Sequence, residues 1–418
     1  MKKPISIIIL VLIYTGLFAQ KSSDALRVDF FRSGNDTLEI LTMKQVSMQH
    51  NLSIGKHAWI DSVNYGFYRI DAYNEDGELF FRRGYSSLFN EWRTTDEAKI
   101  MNRSFEESVL IPFIEGDITL KFFSRDFDTK WNLQYAYSFN SQSVQVVKKS
   151  YHEYPVEDLK ITGSEFEKLD ILIIPDGYTA DEMEEFKNDA MLVIKGIMAS
   201  SPFIDFEDDI NFRAVMAPSE ESGTDFPHEN IWKNTVLNTT FNTFGTERYL
   251  TTFSYHILMD IAANAPADHI LVLVNTDEYG GAGFYNFYSL AAAKSYYRDF
   301  LVEHEMGHGL SGLADEYYTS DVAVNDYHPT HVEPWEPNIT SLVDFESKWD
   351  SLVSEDVPIP TPVKEKYMDV CGAFEGAGYL SKGLFRPAYD CTMKSVGYNN
   401  FCEACKRAVA SMIRWYAH

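Results

Sequence analysis

Between residues 20 and about 150, apolar and aromatic residues come in short runs that alternate with turn chemistry. Thr37–Thr42, Gly66–Tyr73, Leu79–Arg83 and Ile118–Phe123 are rich in β-branched and aromatic side chains, which suit pleated, half-buried surfaces. Ser33-Gly34-Asn35-Asp36 and Asn74-Glu75-Asp76-Gly77 stand between such runs and carry the residue types of tight turns. Several short strands at this spacing predict an all-β sandwich. No cluster of catalytic residues stands out in it, so a packing or substrate-presenting module is expected.

The pattern changes after Tyr151–Glu157. Leu169–Pro175 is an apolar run of buried-strand length, followed by Asp176-Gly177-Tyr178. Thr179, with Glu182 three residues on, has the form of a capping box opening a helix that runs to about Ser200. Ile210–Met216 and His269–Asn275 predict two more strands. Strands alternating with helices indicate an α/β domain. The expected division is 1–19 a signal peptide, 20–152 an N-terminal β-sandwich, and 153–418 a catalytic domain.

The first nineteen residues are set apart by Lys2 and Lys3, an apolar run from Ile5 to Phe18, and a small residue at Ala19. That is the pattern of a secretory signal, with an apolar run too short to span a bilayer comfortably. The mature chain is expected to be secreted or periplasmic, without stable membrane association. Formal charge is −26 over 418 residues. A surface this acidic repels phosphate backbones and anionic headgroups, which excludes nucleic-acid roles. The four cysteines, Cys371, Cys391, Cys402 and Cys405, fall in the last fifty residues. In an exported chain such a set predicts disulfides. The competing possibility is a structural zinc site, because Cys402 and Cys405 have knuckle spacing.

The candidate chemistry lies in the segment from Ser295 to His308. It is expected to be helical, so His304 and His308, four residues apart, present imidazoles on one face to one metal ion. Glu305 is placed to take a proton from a water at that metal as it attacks an amide carbonyl. Gly307 and Gly309 are poor choices for an ordinary helix interior, and Ser311-Gly312 is a natural left-handed stop. Asp315-Glu316-Tyr317 follows at once. A catalytic zinc needs a third ligand and an open position. Asp315 is the favoured ligand and Glu316 the runner-up, which would face the opposite way in an extended segment. Glu333 and Glu336 are flanked by Pro334 and Pro337, which argue against a ligand-bearing helix there.

The run His304-Glu-Met-Gly-His308-Gly-Leu-Ser-Gly312-Leu-Ala-Asp315-Glu-Tyr317 resembles the signature of the M64 peptidases, the IgA-peptidase family. Asp176-Gly-Tyr178, Gly223-Thr-Asp225, Asn275 with Tyr279-Gly-Gly281, Glu336-Pro-Asn338, Gly372–Gly378 and Cys391-Thr-Met393 resemble it too. Together they cover most of residues 155–418, and the preceding region is similar to the family's N-terminal β-domain. The resemblance implies a zinc endopeptidase with a metzincin-like zincin catalytic domain. It implies His304, His308 and Asp315 as ligands of one catalytic zinc, with Glu305 as the base. True metzincins have one residue fewer before the third ligand, and a His in place of Asp. Met393 is the candidate for the methionine turn that floors such a site.

Tyr317, Tyr389 and Arg386 are candidates for stabilising an oxyanion. Tyr279–Gly283 leaves little side chain and could present a backbone edge to an extended peptide. His256, His269, His328 and His331 are expected to be packed or at the surface, and Asp176 and Asp225 to shape the cleft. The resulting expectation is a secreted zinc endopeptidase acting on proteins or peptides. The alternatives are a zinc amidase of cell-wall material and a binding protein that retains the metal site without turnover.

Overall fold

In a computed structural model, residues 24–50, 52–318 and 328–417 are described; the expected signal at 1–19 lies outside them. The N-terminal region forms two four-stranded sheets. One contains β1 (Asp24–Gly34), β2 (Glu39–His50), β5 (Arg103–Pro112) and β8 (Val146–Lys148), ordered β5-β1-β2-β8. The other contains β3 (Tyr68–Tyr73), β4 (Leu79–Tyr85), β6 (Asp117–Arg125) and β7 (Trp131–Asn140), ordered β4-β3-β6-β7. The turns form where their residues predicted. Asn35 accepts from the N–H groups of Thr37 and Leu38 at 3.0 and 2.7 Å, and Asn74 accepts from Glu78 N–H at 2.8 Å. The sheets share one core, in which the Phe30 ring meets Phe122 edge-on at 5.1 Å. A short helix, α1 (Leu88–Trp92), interrupts the β-structure.

A six-stranded sheet organises the second region. Its order is β13-β14-β12-β10-β11-β9, with β9 Val156–Lys160, β10 Leu169–Asp176, β11 Ile210–Val215, β12 His269–Val274, β13 Gly281–Phe284 and β14 Tyr288–Ala292. The four inner strands are parallel, and the edge strands β9 and β13 run antiparallel. All eight residues of β10 are buried, as expected where both faces of a parallel sheet are covered. Helix α2 (Met183–Ile197) follows a helical turn opened by the expected capping box, with Glu182 accepting from Thr179 N–H at 2.8 Å.

The two faces of this sheet go to different cores. Ile171 and Ile173 pack with α2, α4 (Arg298–Ser311) and α5 (Glu403–Tyr416). Leu172 and Ile174, pointing the other way, share the core of α3 (Tyr255–Ala262) and the N-terminal sheets. The N-terminal layers thus pack over one face of the six-stranded sheet. Polar contacts cross the same boundary. Arg27 meets Asp260 at 2.5 Å and donates to the His256 carbonyl at 2.9 Å, and Ser86 N–H donates to the Tyr285 carbonyl at 2.9 Å. A hairpin of β15 (Phe374–Ala377) and β16 (Leu380–Arg386) closes the site side. No helix among the described residues is long and apolar enough to cross a membrane.

Candidate metal centre

Helix α4 begins three residues later than its sequence pattern predicts and ends, as expected, at Gly312 with φ 64°. Its glycines are there for close approach. A Cβ at Gly307 would meet Met393 Sδ at 2.7 Å, and one at Gly309 would strike Ser289 and His269. The helix therefore lies tight on β14 and on the 391–393 segment, at a cost to its intrinsic stability of about 1 kcal/mol per glycine.

His304 and His308 turn their Nε2 atoms to within 3.1 Å of each other, and Asp315 Oδ1 lies 3.1 and 3.4 Å from them. Their Nδ1 atoms face backbone carbonyls, of Thr392 at 3.0 Å and Leu313 at 2.6 Å. A carbonyl only accepts, so Nδ1 carries the proton in each ring and Nε2 offers its lone pair. Two lone pairs and a carboxylate oxygen so close together repel unless positive charge lies among them. Burial lowers the basicity of His308, yet Asp315 and Glu305 outweigh it and lift the pKa to about 9. Asp315 itself is held well below the ordinary carboxylate range, against its burial, by the two imidazoles. The donor set fits a divalent metal ion.

The segment carrying Asp315 is fixed along its length. Asn338 accepts from Ala314 N–H at 2.7 Å and donates to the Ala314 carbonyl at 2.8 Å. Glu316 N–H donates to the Met393 carbonyl at 2.8 Å, and Gly378 N–H to the Asp315 carbonyl at 2.9 Å. The Tyr379 hydroxyl donates to Asp315 Oδ2, and Tyr317 is also hydrogen-bonded to this carboxylate. Glu316 points away from the histidines: its Oε1 lies 3.1 Å from Cys405 Sγ.

Glu305 lines the cleft over β13, and burial raises its carboxyl pKa. A Cβ at Gly281 would meet Glu305 Cγ and Oε1 at 2.9 Å; the glycine makes room for this carboxylate. Of the three oxyanion candidates, only Tyr317 lines the cleft. Arg386 is instead buried and donates to the carbonyls of Glu375 and Gly376 at 3.0 and 2.6 Å, and Tyr389 is also absent from the lining. His328 does line the cleft, with burial holding its pKa down to about 3. His269 is packed, with Nε2 3.1 Å from Ser289 Oγ. Asp176 receives Thr235 Oγ1 and Leu237 N–H at 2.8 Å each, so it clamps the 235–239 loop.

Several cleft residues carried no sequence signal of their own. Arg248 lines the cleft and is hydrogen-bonded to Tyr317. Glu91, from α1 in the N-terminal region, accepts from the Tyr249 hydroxyl at the cleft wall. Asn338 and Tyr379 lie in or beside motifs quoted above, but their contacts are set by tertiary folding. The expected disulfides are not formed: all four cysteines are free. Cys391 and Cys405 Sγ stand 3.8 Å apart, well beyond a bond of about 2.0 Å.

Fold and site together define a cleft built round side chains able to hold a metal ion. The chain belongs to the IgA peptidase M64 family: the profile described as IgA Peptidase M64 matches residues 157–370 and 364–413, and that described as Peptidase M64 N-terminus matches residues 17–136. It is accordingly a peptidase, with a protein or peptide as substrate. No curated protein gives a significant match to the chain.

Proposed function

We propose that this peptidase is an exported, zinc-dependent endopeptidase, with His304, His308 and Asp315 as ligands and Glu305 as general base. The observation that carries the proposal is the convergence of two Nε2 atoms and one carboxylate oxygen at 3.1–3.4 Å, each ring locked by a carbonyl. The donor set of two imidazoles and one carboxylate is that of catalytic rather than closed structural zinc. Zinc bound there supplies Lewis acidity and makes water acidic enough to be a nucleophile near neutrality.

The chain's own groups do the remainder. Glu305 accepts a proton from the attacking water and returns it to the leaving amine, a role suited to a carboxyl whose pKa burial has raised. Tyr317 and Tyr379 hold Asp315 in place. Arg248 offers a cation in the cleft for the oxyanion. The edge strand β13 offers backbone groups to an extended peptide. The metzincin-like assignment draws on this edge strand, the His-Glu-x-x-His helix and Met393 packed behind Gly307. Export rests on the sequence of residues 1–19.

The test is incubation of residues 20–418 with mixed peptides and with peptidoglycan fragments, before and after chelation. Internal peptide cleavage that chelation abolishes and zinc restores is expected. Release of products from peptidoglycan alone, or chelator-resistant cleavage, would overturn the reading.

A further inference from the structure

Behind the histidine cluster lies a second convergence of ligating atoms that catalysis does not use. Glu316, Cys391, Cys402 and Cys405 each bring one carboxylate or sulfur atom to within 4.8 Å of the others. Three of the four residues are buried and Cys402 is partly so. Cys391 Sγ lies 3.8 Å from Cys405 Sγ, while Glu316 Oε1 lies 3.1 Å from Cys405 Sγ and 4.0 Å from Cys402 Sγ.

The sulfur–sulfur separation is that of a shared tetrahedral ion, and the two sulfur–oxygen distances lie on either side of the value such an ion sets. Zinc at about 2.3 Å from each sulfur and about 2.0 Å from an oxygen puts sulfurs about 3.8 Å apart and sulfur about 3.5 Å from oxygen. Only one pair could form a disulfide, leaving a third thiol and a buried carboxylate without use. Glu316 Oε2 has no hydrogen-bond partner, although the residue is fully buried. No Lys or Arg forms an ion pair with Glu316 among the described residues.

Without an ion, burial raises the Glu316 carboxyl and the Cys391 and Cys405 thiols above their ordinary pKa, so anionic ligands here need a cation among them. Cys391 Sγ accepts the Cys402 N–H at 3.3 Å. Cys402 is the N-cap of α5 and Cys405 lies in its first turn, at the positive end of the helix dipole. Arg386 and Lys394 act on the cluster electrostatically. We propose that Glu316, Cys391, Cys402 and Cys405 bind a structural zinc ion, distinct from the ion held by the histidines. The three thiols release their protons to solvent on binding.

This ion would join three separate pieces of chain that the histidine site depends on. Glu316 follows Asp315 directly. Cys391 is followed by Thr392, whose carbonyl holds His304, and by Met393 behind Gly307. Cys402 and Cys405 anchor both to α5. Cys371 takes no part.

The test begins with the full mature chain, purified without reductant in zinc. Two zinc ions per chain and four thiols titratable after denaturation with chelator are expected. One zinc with fewer than four thiols, the signature of a disulfide, would overturn the proposal. A His304→Ala/His308→Ala variant loaded with cobalt(II) reads the second cluster alone, independently of activity. Intense thiolate-to-cobalt charge-transfer bands are expected; their absence overturns the site. Glu316→Gln should weaken zinc affinity at the histidine site about 10-fold, and unchanged affinity would remove the link between the two clusters.

Discussion

Asp315 and Glu316 are consecutive, yet their carboxylates serve different clusters: Asp315 Oδ1 lies 3.1 Å from His304 Nε2, and Glu316 Oε1 lies 3.1 Å from Cys405 Sγ. Extended backbone sends neighbouring side chains to opposite sides. The two substitutions should therefore separate. Asp315→Ala should lower metal affinity at the histidines by roughly 100-fold or more and abolish activity, because a ligand is lost. Glu316→Ala should leave that ligand set complete, weaken metal binding there only about 10-fold, and lower thermal stability. Metal titration paired with calorimetry reads the difference, and identical profiles would refute it.

Glu305→Gln removes the proton acceptor but keeps the shape of the side chain. Peptide hydrolysis should fall on the order of 10²–10⁴-fold in kcat, with metal content unchanged. Wild-type turnover by this variant would assign the base elsewhere.

Gly281 is a sharper probe than its place on the edge strand indicates. Because a Cβ there would meet Glu305 Cγ and Oε1 at 2.9 Å, Gly281→Val should depress kcat as well as raise KM. A pure KM effect would show that Glu305 yields without cost and that the glycine serves only the peptide edge.

Glu91 provides a pH readout of the wall between the two regions. Burial raises its carboxyl to about 7, with Asp315 and Glu305 adding to the effect and Tyr249 and His308 opposing it. The unfolded value is about 4.3, so the protonated form favours folding. That contribution is complete below about 4.3 and is lost as pH rises through 7. In the metal-free protein, Glu91→Gln cannot ionise and still accepts from Tyr249. It should gain about 1–2 kcal/mol over the wild type at pH 8 and little at pH 5, a figure reduced because the carboxyl is partly open to the cleft. Parallel melting curves across that range would rule this out.

Met393 is fully buried against the helix that carries the histidines. Met393→Ala should cost about 2–5 kcal/mol, and Met393→Leu less than about 1.5 kcal/mol with activity retained. If Leu abolishes activity while metal stays bound, the sulfur has a role beyond packing.

Much of the site was legible because its chemistry is local. His304 and His308 are one helical turn apart, and Gly312 marks the turn that brings Asp315 back. Strands such as β10 and turns such as Asn35 and Asn74 were legible for the same reason. Tyr379, Asn338 and Arg248 were not, since a tyrosine, an amide and an arginine gain these roles only when distant loops meet. The cysteines were less legible: disulfides were expected with three pairings open, whereas folding gathers Cys391, Cys402 and Cys405 round Glu316, which no cysteine spacing could indicate, and leaves Cys371 outside. Glu91 was hidden most deeply, inside a region whose periodicity announced only β-structure.

The N-terminal layers bear on how this peptidase selects what it cuts. Phe67, Ser86 and Glu91 form part of the same lining as His304 and Glu305, and Glu91 is tied to Tyr249 across the boundary. A chain severed after residue 152 would keep the histidine cluster in its sequence but lose one wall of the groove and uncover the apolar face of the sheet that carries Leu172 and Ile174. The groove wall and the stability of the sheet behind it therefore rest on the same N-terminal layers.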